Sequence, residues 1–263
     1  MSTHLLIIDP QVDFMDLDGS TLPVRGANAD MERLAAFIDA GDTRIDRITV
    51  TLDTHELHDI GHPVFWRLAD GSRPAPFTPV SLDDVEQGRI DVAQAEHREY
   101  VRGYLRALEA GKRFGHMIWP VHCQIGSPGH AIHPAVLRAI NAWETRTGTP
   151  ARRVLKGQNR FTEHYSAVRA EVIDPRDPAT GTNADLVASV AGSARTLVAG
   201  EALSHCVRAT VEDLVTETKN ASSLTLLTDA MSPVGGFESQ GQAFLRELAA
   251  QGATLCTLAQ CAP

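Results

Sequence analysis

The sequence predicts an α/β protein in which a six-stranded, mainly parallel sheet lies between two layers of helices. Two observations support this three-layer α/β/α fold class. Short apolar runs, mostly β-branched, alternate along the chain with longer segments that place apolar residues at helical spacing. In addition, 43% of the 263 residues are hydrophobic, which is enough for the core of one large domain. Such alternation is typical of parallel sheets that are covered on both faces.

The predicted strands are continuous apolar runs, which are typical of strands buried on both faces of a sheet. They are Leu5–Asp9, Arg47–Leu52, Arg153–Lys156, Thr196–Gly200, Ser223–Leu227 and Ala253–Thr257. The helices that cover them are predicted from apolar residues at helical spacing. They are Ala27–Ala40, Pro134–Thr147, Asp185–Ala191, Cys206–Asn220 and Glu238–Gln251.

Residues 66–115 interrupt this alternation. The stretch contains a proline-rich, loop-like segment at 73–79, and an amphipathic pattern then predicts a helix from Val92 to Glu109. We therefore expect one domain over residues 1–263 with an insertion at about 66–115. The insertion could be a lid, a contact between subunits, or a surface excursion without a role.

Charge and hydropathy argue against several classes of partner. The chain has 24 Lys and Arg against 33 Asp and Glu, whereas binding to a phosphate backbone needs clustered basic residues. No apolar run reaches the roughly 20 residues of a membrane helix, and the first residues lack a signal peptide's basic segment. We expect a cytoplasmic protein without nucleic-acid or membrane partners. Four cysteines are too few for a disulfide framework, although pairing of Cys256 with Cys261 remains open.

Reactive side chains lie at the carboxyl ends of the predicted strands, the edge where parallel sheets bind ligands. Cys206 opens a predicted helix, where unpaired N–H groups and the helix dipole favour an anion. We therefore expect its thiol to lose a proton readily and to be a nucleophile, with a buried core cysteine as the alternative. Asp9 can accept the thiol proton, and Lys156 can supply the cation that keeps Asp9 ionised. Each alone is also compatible with a solubilising charge at a strand end.

A second group of residues has the chemistry of metal ligands. Asp53 and His55 lie two residues apart at a strand end, and His122 follows much later. Carboxylate and imidazole ligands with open water positions suit zinc, manganese or iron. His62 and His58 are both available as a further ligand. We rank His62 first and expect His58 to lie behind the ligands or to face solvent; surface histidines without a metal role are the alternative.

These motifs occur in the order found in the isochorismatase-like cysteine hydrolases, and among these the chain most closely resembles nicotinamidases. The resemblance covers roughly Leu5 to Val234. It is based on Asp9 in the segment 8–14, Asp53-x-His55, the segment 119–123, Lys156-Gly, Tyr165-Ser-Ala and Gly200-x-Ala-x-x-His-Cys206. Two departures concern the pocket: Ser204 stands where many nicotinamidases have aspartate, and the segment between His62 and Trp119 is long.

The resemblance implies the isochorismatase-like hydrolase fold and a set of residue roles. The catalytic triad would be Asp9, Lys156 and Cys206, and the metal ligands would include Asp53, His55 and His122. The Glu201–Ala202 peptide bond would be cis, and the oxyanion hole would consist of the N–H groups of Ala202 and Cys206. A ring pocket would be lined by Phe14, Trp119 and Tyr165, for which core packing is the alternative.

The implied activity is that of a metal-containing nicotinamidase of NAD salvage, which hydrolyses nicotinamide to nicotinate and ammonia through a Cys206 thioester. We expect a divalent metal, zinc first, a small amide substrate and a homo-oligomeric assembly. Three alternatives remain: a cysteine amidase for another small amide or N-carbamoyl compound, a noncatalytic metal-binding protein of the same fold, and a zinc hydrolase that activates water.

Overall fold

The computed structural model describes residues 2–41 and 43–261. In chain order the strands are β1 (Thr3–Ile8), β2 (Arg47–Asp53), β3 (Trp66–Leu68), β4 (Thr78–Val80), β5 (Ile90–Val92), β6 (His116–Ile118), β7 (Arg152–Lys156), β8 (Arg195–Gly200), β9 (Leu224–Leu227) and β10 (Thr254–Cys256). The α-helices are α1 (Ala27–Ala40), α2 (Leu82–Glu86), α3 (Arg98–Gly111), α4 (Pro134–Thr147), α5 (Ala184–Ala191), α6 (Arg208–Thr218), α7 (Glu238–Ala250) and α8 (Leu258–Cys261).

The central sheet confirms the predicted fold class. Its six strands are all parallel, in the order β10-β9-β8-β1-β2-β7. The two middle strands, β8 and β1, are buried along most of their length, and Leu5 to Ile8 of β1 have no exposed surface. Helices flank the sheet: α1 packs against α4, and α5 packs against α6. The sheet thus holds the core and brings the carboxyl ends of β1, β2, β7 and β8 to one edge.

The inserted stretch differs from the prediction of a single helix. It contains the antiparallel pair β3 and β5, and the strand β4, which pairs with β6 just beyond residue 115. Its main helix α3 begins at Arg98 rather than at Val92. Val92 is paired with Trp66 in β5, so the helix can begin only after it. Strands of three residues are too short to show the alternation that reveals a strand in a sequence. The description as one domain with an insertion stays a prediction.

The buried face of α3 agrees with the amphipathic pattern. Val101, Tyr104, Leu105 and Leu108 are buried in a second apolar cluster that also contains Trp66. The insertion therefore has apolar packing of its own beside the main core.

The segment around Cys206 also differs from the expected α-helix. Residues Leu203–Val207 form a π-helical turn, and α6 begins at Arg208. The carbonyl of Ala202 accepts hydrogen bonds from the N–H groups of both His205 (3.0 Å) and Val207 (3.2 Å), which widens the turn. Single turns of this kind occur mostly within or beside α-helices and often at functional sites. Cys206 consequently lies inside the turn and not at the first residue of an α-helix.

The path from β8 into this turn depends on Gly200. It has a φ of +122°, and a Cβ placed on it would lie 1.9 Å from the carbonyl oxygen of Ile8. The next residue, Glu201, donates its N–H to the same oxygen at 2.7 Å. The peptide bond between Glu201 and Ala202 is cis, as the resemblance implies. Only glycine allows β8 and β1 to approach this closely.

Two further features concern the cysteines and the hydropathy of the helices. Cys256 and Cys261 form a disulfide that joins β10 to α8, and Cys123 and Cys206 are free thiols.

Among the residues described, none of the helices combines the length and apolar character that crossing a membrane requires.

Candidate active site and metal centre

The register of the sheet brings the predicted site residues together. β1 pairs with β2, and Asp53 at the end of β2 lies directly beside Lys156 at the end of β7. Asp9 follows β1 by one residue, and Cys206 comes shortly after β8. All of these residues are buried at the carboxyl edge of the sheet.

Lys156 lies at the centre of this group. Its Nζ is 3.0 Å from Asp9 Oδ2, 2.8 Å from Asp53 Oδ1 and 3.6 Å from Cys206 Sγ. It also donates a hydrogen bond to the carbonyl oxygen of His164 at 3.0 Å. Burial alone would lower the pKa of a lysine, but Asp53 and Asp9 raise the pKa of Lys156 well above its ordinary value. The side chain is therefore a fixed cation in contact with base and nucleophile.

Asp9 is held in place from several directions. Its Oδ1 accepts the hydroxyl of Thr51 at 2.5 Å, and its N–H donates to the Thr51 carbonyl at 3.2 Å. Its backbone has a φ of 45°, a left-handed conformation that is costly for a residue with a side chain and recurs at functional sites. Burial raises the pKa of Asp9, and the nearby Lys156 opposes this increase. Oδ2 is engaged only by the Lys156 ion pair among the described residues, so one lone pair is free for a thiol proton.

The expectation of a readily ionised thiol at Cys206 is wrong for the protein without substrate. Burial raises the pKa of Cys206 well above its ordinary value, Lys156 lowers it, and the negative charge of Asp9 raises it further. The physical reason is that the sulfur lies inside a buried π-helical turn, close to the negative charge of Asp9, and not at an exposed helix start. We therefore expect Cys206 to enter the reaction as a neutral thiol that gives its proton to Asp9 as the sulfur attacks.

The predicted metal ligands form a compact group, the metal-type cluster, which consists of Asp53, His55 and His122. Ligand atoms of Asp53, His55 and His122 all lie within 4.8 Å of one another. The Nε2 atoms of His55 and His122 are 3.1 and 3.3 Å from Asp53 Oδ2, respectively. Asp53 thus directs one oxygen to Lys156 and the other to the two imidazoles.

The chemistry of these side chains fits a divalent metal. His55 Nδ1 lies 3.0 Å from the Asp59 carboxylate, and His122 Nδ1 lies 2.9 Å from the Pro120 carbonyl. These acceptors assign the ring protons to Nδ1 and leave both Nε2 atoms with lone pairs that face Asp53. The buried Nε2 of His55 has no hydrogen-bond partner among the described residues. A carboxylate with two such imidazoles is a typical donor set for zinc.

His62 lies beside this cluster but outside the group of mutually close ligand atoms. Its Nδ1 lies 3.1 Å from the Glu56 carbonyl, and its Nε2 lies 3.4 Å from the backbone N of His122. Nε2 therefore points to the chain of His122 and not to Asp53. Its role as a ligand stays a prediction. His58 is partly buried and packs against Phe65 with a ring distance of 5.3 Å.

A small, partly open cavity adjoins both the sulfur and the metal-type cluster. It is lined by Phe14, Leu22, Asp53, Trp119, His122, Glu163, Tyr165, Ala202, His205, Cys206 and Val234. Phe14, Trp119 and Tyr165 are thus all wall residues, and Trp119 Nε1 donates a hydrogen bond to the Tyr165 hydroxyl at 3.0 Å. The free volume is about 30 Å³, so a ring-sized ligand fits only if some of the lining side chains move. A larger cavity of about 400 Å³, beside α3, contains none of the predicted site residues.

Several residues of the site were not predicted from the sequence. Gln11 clamps the backbone of Asp53, donating to its carbonyl and accepting from its N–H, both at 2.7 Å. Glu163 lines the cavity, and its Oε2 has no hydrogen-bond partner within residues 2–41 and 43–261. Burial raises the pKa of Glu163 to about 7. Gln11 lies two residues after Asp9 and Glu163 two before Tyr165, so only closeness to those motifs could have indicated them.

Comparison with known proteins supports the fold. No protein-family model matches the chain, and no curated protein sequence matches it. Among solved structures, the yeast nicotinamidase Pnc1p is 18% identical with a TM-score of 0.66, and the alignment covers 96% of this chain and 98% of that one. The pyrazinamidase of Pyrococcus horikoshii in complex with zinc is 18% identical with a TM-score of 0.56, covering 98% and 99%.

An isochorismatase family protein from Desulfovibrio vulgaris is 17% identical with a TM-score of 0.54, covering 98% of this chain and 95% of that one. At such identities the likeness concerns the fold. The chain therefore has the isochorismatase-like fold of these three structures, and the predicted resemblance is confirmed at the level of the fold.

Proposed function

We propose that this chain is a cysteine amidohydrolase with a metal centre, and that it hydrolyses nicotinamide to nicotinate and ammonia. The observation that carries this proposal is the position of Lys156 Nζ, which contacts Asp9, Asp53 and the sulfur of Cys206. A base, a cation and a nucleophile thereby converge on a cavity next to a carboxylate–imidazole cluster. The similar solved structures named nicotinamidases and pyrazinamidases support this choice of substrate class.

The first step is attack of the thiol on the amide carbon. Asp9 takes the proton of Cys206 while the sulfur forms a bond to the carbonyl carbon, and the carbonyl oxygen becomes an oxyanion. Lys156 remains charged throughout and compensates the negative charge that passes between Asp9 and the sulfur. Ala202 and Cys206 both belong to the cavity wall, and their N–H groups would stabilise the oxyanion.

The remaining steps return the proton and release the products. Protonated Asp9 gives its proton to the amide nitrogen, and the C–N bond breaks. Ammonia departs, and the acyl group remains bound to Cys206 as a thioester. A water molecule, deprotonated by Asp9, then adds to the thioester carbon. The C–S bond breaks, the sulfur regains a proton, and the carboxylic acid departs.

Asp53, His55 and His122 would hold the metal, and zinc is the ion we propose because of its preference for this donor set. When bound, a divalent ion would supply a Lewis acid that orients an acceptor on the substrate ring. The chain's own residues supply the flat walls: Phe14, Trp119 and Tyr165 can enclose an aromatic ring.

Several wider expectations belong to this proposal. The product nicotinate would serve NAD salvage, the location would be cytoplasmic, and the assembly would be homo-oligomeric. The partner would be a small amide, with no nucleic acid and no membrane.

A panel of amides tests the proposal, with ammonia release as the readout. We expect turnover of nicotinamide by the wild type and none by Cys206→Ala or Cys206→Ser, with unchanged unfolding temperatures as the check on folding. Hydrolysis of another amide or an N-carbamoyl compound without any turnover of nicotinamide would instead support a related cysteine amidase.

A further inference from the structure

A second pair of buried acidic residues lies on the other side of the oxyanion-hole loop, away from the triad. We infer that Glu201, which shares one proton with Asp30, is a positioning residue for the loop that carries Ala202. This inference rests on the proposed amidase reaction, because that loop would supply an N–H group to the oxyanion. Nothing in the resemblance to nicotinamidases requires an acidic side chain at Glu201.

The backbone places Glu201 directly beside the catalytic loop. It is the residue after β8 and the residue before Ala202, and its side chain has no exposed surface. A carboxyl group at such a position is costly to bury unless it is neutral or fully hydrogen-bonded. Its contacts therefore decide what it does.

Ser232 joins Glu201 to both the loop and α1. Its N–H donates to Glu201 Oε2 at 3.0 Å, and its carbonyl accepts the N–H of Leu203 at 2.8 Å. Its hydroxyl donates to Asp30 Oδ2 at 2.6 Å. The turn that holds Cys206 is thus tied through one serine to two carboxyl groups.

Those two carboxyl groups can form a hydrogen bond with each other only if one of them is protonated. Glu201 Oε1 is fully buried and finds no donor among the described residues, and both carboxyl groups are neighbours because Ser232 donates to Glu201 Oε2 and to Asp30 Oδ2. Both oxygens of Asp30 already have donors, in Arg33 and in the Ser232 hydroxyl, whereas Oε1 of Glu201 has none among the described residues. The proton then belongs to Glu201 and is donated to Asp30.

The electrostatic surroundings agree with this assignment. Burial and then the negative charge of Asp30 raise the pKa of Glu201 well above its ordinary value, and Asp16 adds to the effect. The charged groups that face Glu201 are therefore Asp30 and Arg33 from α1 and Asp16 from the preceding loop; Ser232, from the loop after β9, does not titrate. Ionisation of Glu201 at alkaline pH would place a second negative charge against Asp30 and loosen the loop.

The protonation of Glu201 makes the free energy of unfolding depend on pH in a definite direction. Because the pKa of Glu201 is higher in the folded than in the unfolded chain, the folded state keeps a proton that the unfolded state loses. The stabilisation is complete below the unfolded pKa and is lost as pH rises through the folded pKa. Glutamine has nearly the same shape and cannot ionise, so it should reproduce the neutral acid.

The test compares Glu201→Gln, Glu201→Ala and the exposed control Glu217→Gln. We expect Glu201→Gln to keep kcat within about threefold of the wild-type value at neutral pH. Toward alkaline pH, its kcat and its unfolding temperature should fall less than those of the wild type. Glu201→Ala should lower kcat by roughly 10-fold or more with little change in KM, since loss of one oxyanion donor costs about 100-fold. Glu217→Gln should behave as the wild type does.

Two results would overturn the inference. One is an alkaline profile, in activity and in unfolding, that is the same for wild type and Glu201→Gln. The other is a folded Glu201→Gln that loses as much kcat as Glu201→Ala. If the wild type hydrolyses no amide, the proposed function fails, whereas the unfolding profiles still support or reject the shared proton.

Discussion

The ammonium group of Lys156 forms a 2.8 Å ion pair with Asp53, so one carboxylate connects the triad to the metal-type cluster. The other oxygen of Asp53 faces His55 and His122. Motif reasoning assigned Lys156 to the triad and Asp53 to the metal separately. Their contact means that a change in either residue should affect both parts of the site.

Replacement of Lys156 should therefore have a double effect. In Lys156→Met the carboxylates of Asp9 and Asp53 are left buried without their cation, and breaking a buried ion pair from one side costs about 3–5 kcal/mol. We expect loss of amidase activity together with a lower free energy of unfolding, measured by urea denaturation. Lys219→Met, at an exposed lysine, is the control; equal losses in both variants would contradict the role of Lys156.

Metal binding should depend on the histidines in a graded way. We expect His55→Asn and His122→Asn to abolish stoichiometric zinc binding, measured by metal analysis after dialysis, because their Nε2 atoms face Asp53. His62→Asn should weaken binding by about 10- to 100-fold if it only supports His122. His58→Asn, which packs against Phe65, should bind zinc as the wild type does.

Ser204 should control a hydrogen-bond donor in the cavity wall. Its hydroxyl oxygen accepts the N–H of Val234 at 3.1 Å, so its own proton is free for His205 Nδ1 at 2.9 Å. That places the proton of His205 on Nε2, and burial, with Arg208, lowers the pKa of His205 to about 4. The ring is thus a neutral donor at neutral pH.

We expect Ser204→Ala to raise KM for the amide by about 3- to 10-fold with little change in kcat, the size of one lost hydrogen bond. Steady-state kinetics measure this. An unchanged KM would show that His205 does not contact the substrate through Nε2.

Acid should destabilise the protein partly through His4, remote from the site. His4 is buried against Thr49, at 2.8 Å, and burial lowers its pKa to about 4. The unfolded chain takes up the proton near pH 6.5, so stability falls as pH decreases from there toward 4, by at most about 3 kcal/mol. His4→Gln should flatten this part of the unfolding profile; an identical acid profile would refute the explanation.

Elements with strong periodicity were predicted well from the sequence. Helices α1 and α4 have the bounds that the apolar spacing indicates, because glycines end both in a left-handed conformation. The six core strands agree to within one or two residues. The inner strands β1, β2, β8 and β9 are mostly buried and rich in apolar residues, which is the pattern that predicted them.

Other features depend on contacts that no local pattern records. The elevated pKa of Cys206 results from burial and from Asp9, which is far away in the sequence. The Lys156–Asp53 ion pair requires the register of β2 with β7. Glu201 and Asp30 meet only because the loop after β9 brings Ser232 between them. Sequence reasoning could propose that Asp9, Lys156 and Cys206 act together, but not that Lys156 also contacts Asp53.

The central claim is that Cys206 forms a covalent acyl intermediate with nicotinamide. The most direct measurement is mass spectrometry of enzyme quenched during turnover of nicotinamide, followed by mapping of the modified peptide. We expect a nicotinoyl adduct on Cys206 that disappears by hydrolysis once the nicotinamide is used up. The adduct should be absent from Cys206→Ser. Turnover of nicotinamide by Cys206→Ala, or turnover by the wild type with acylation at another residue, would contradict the account.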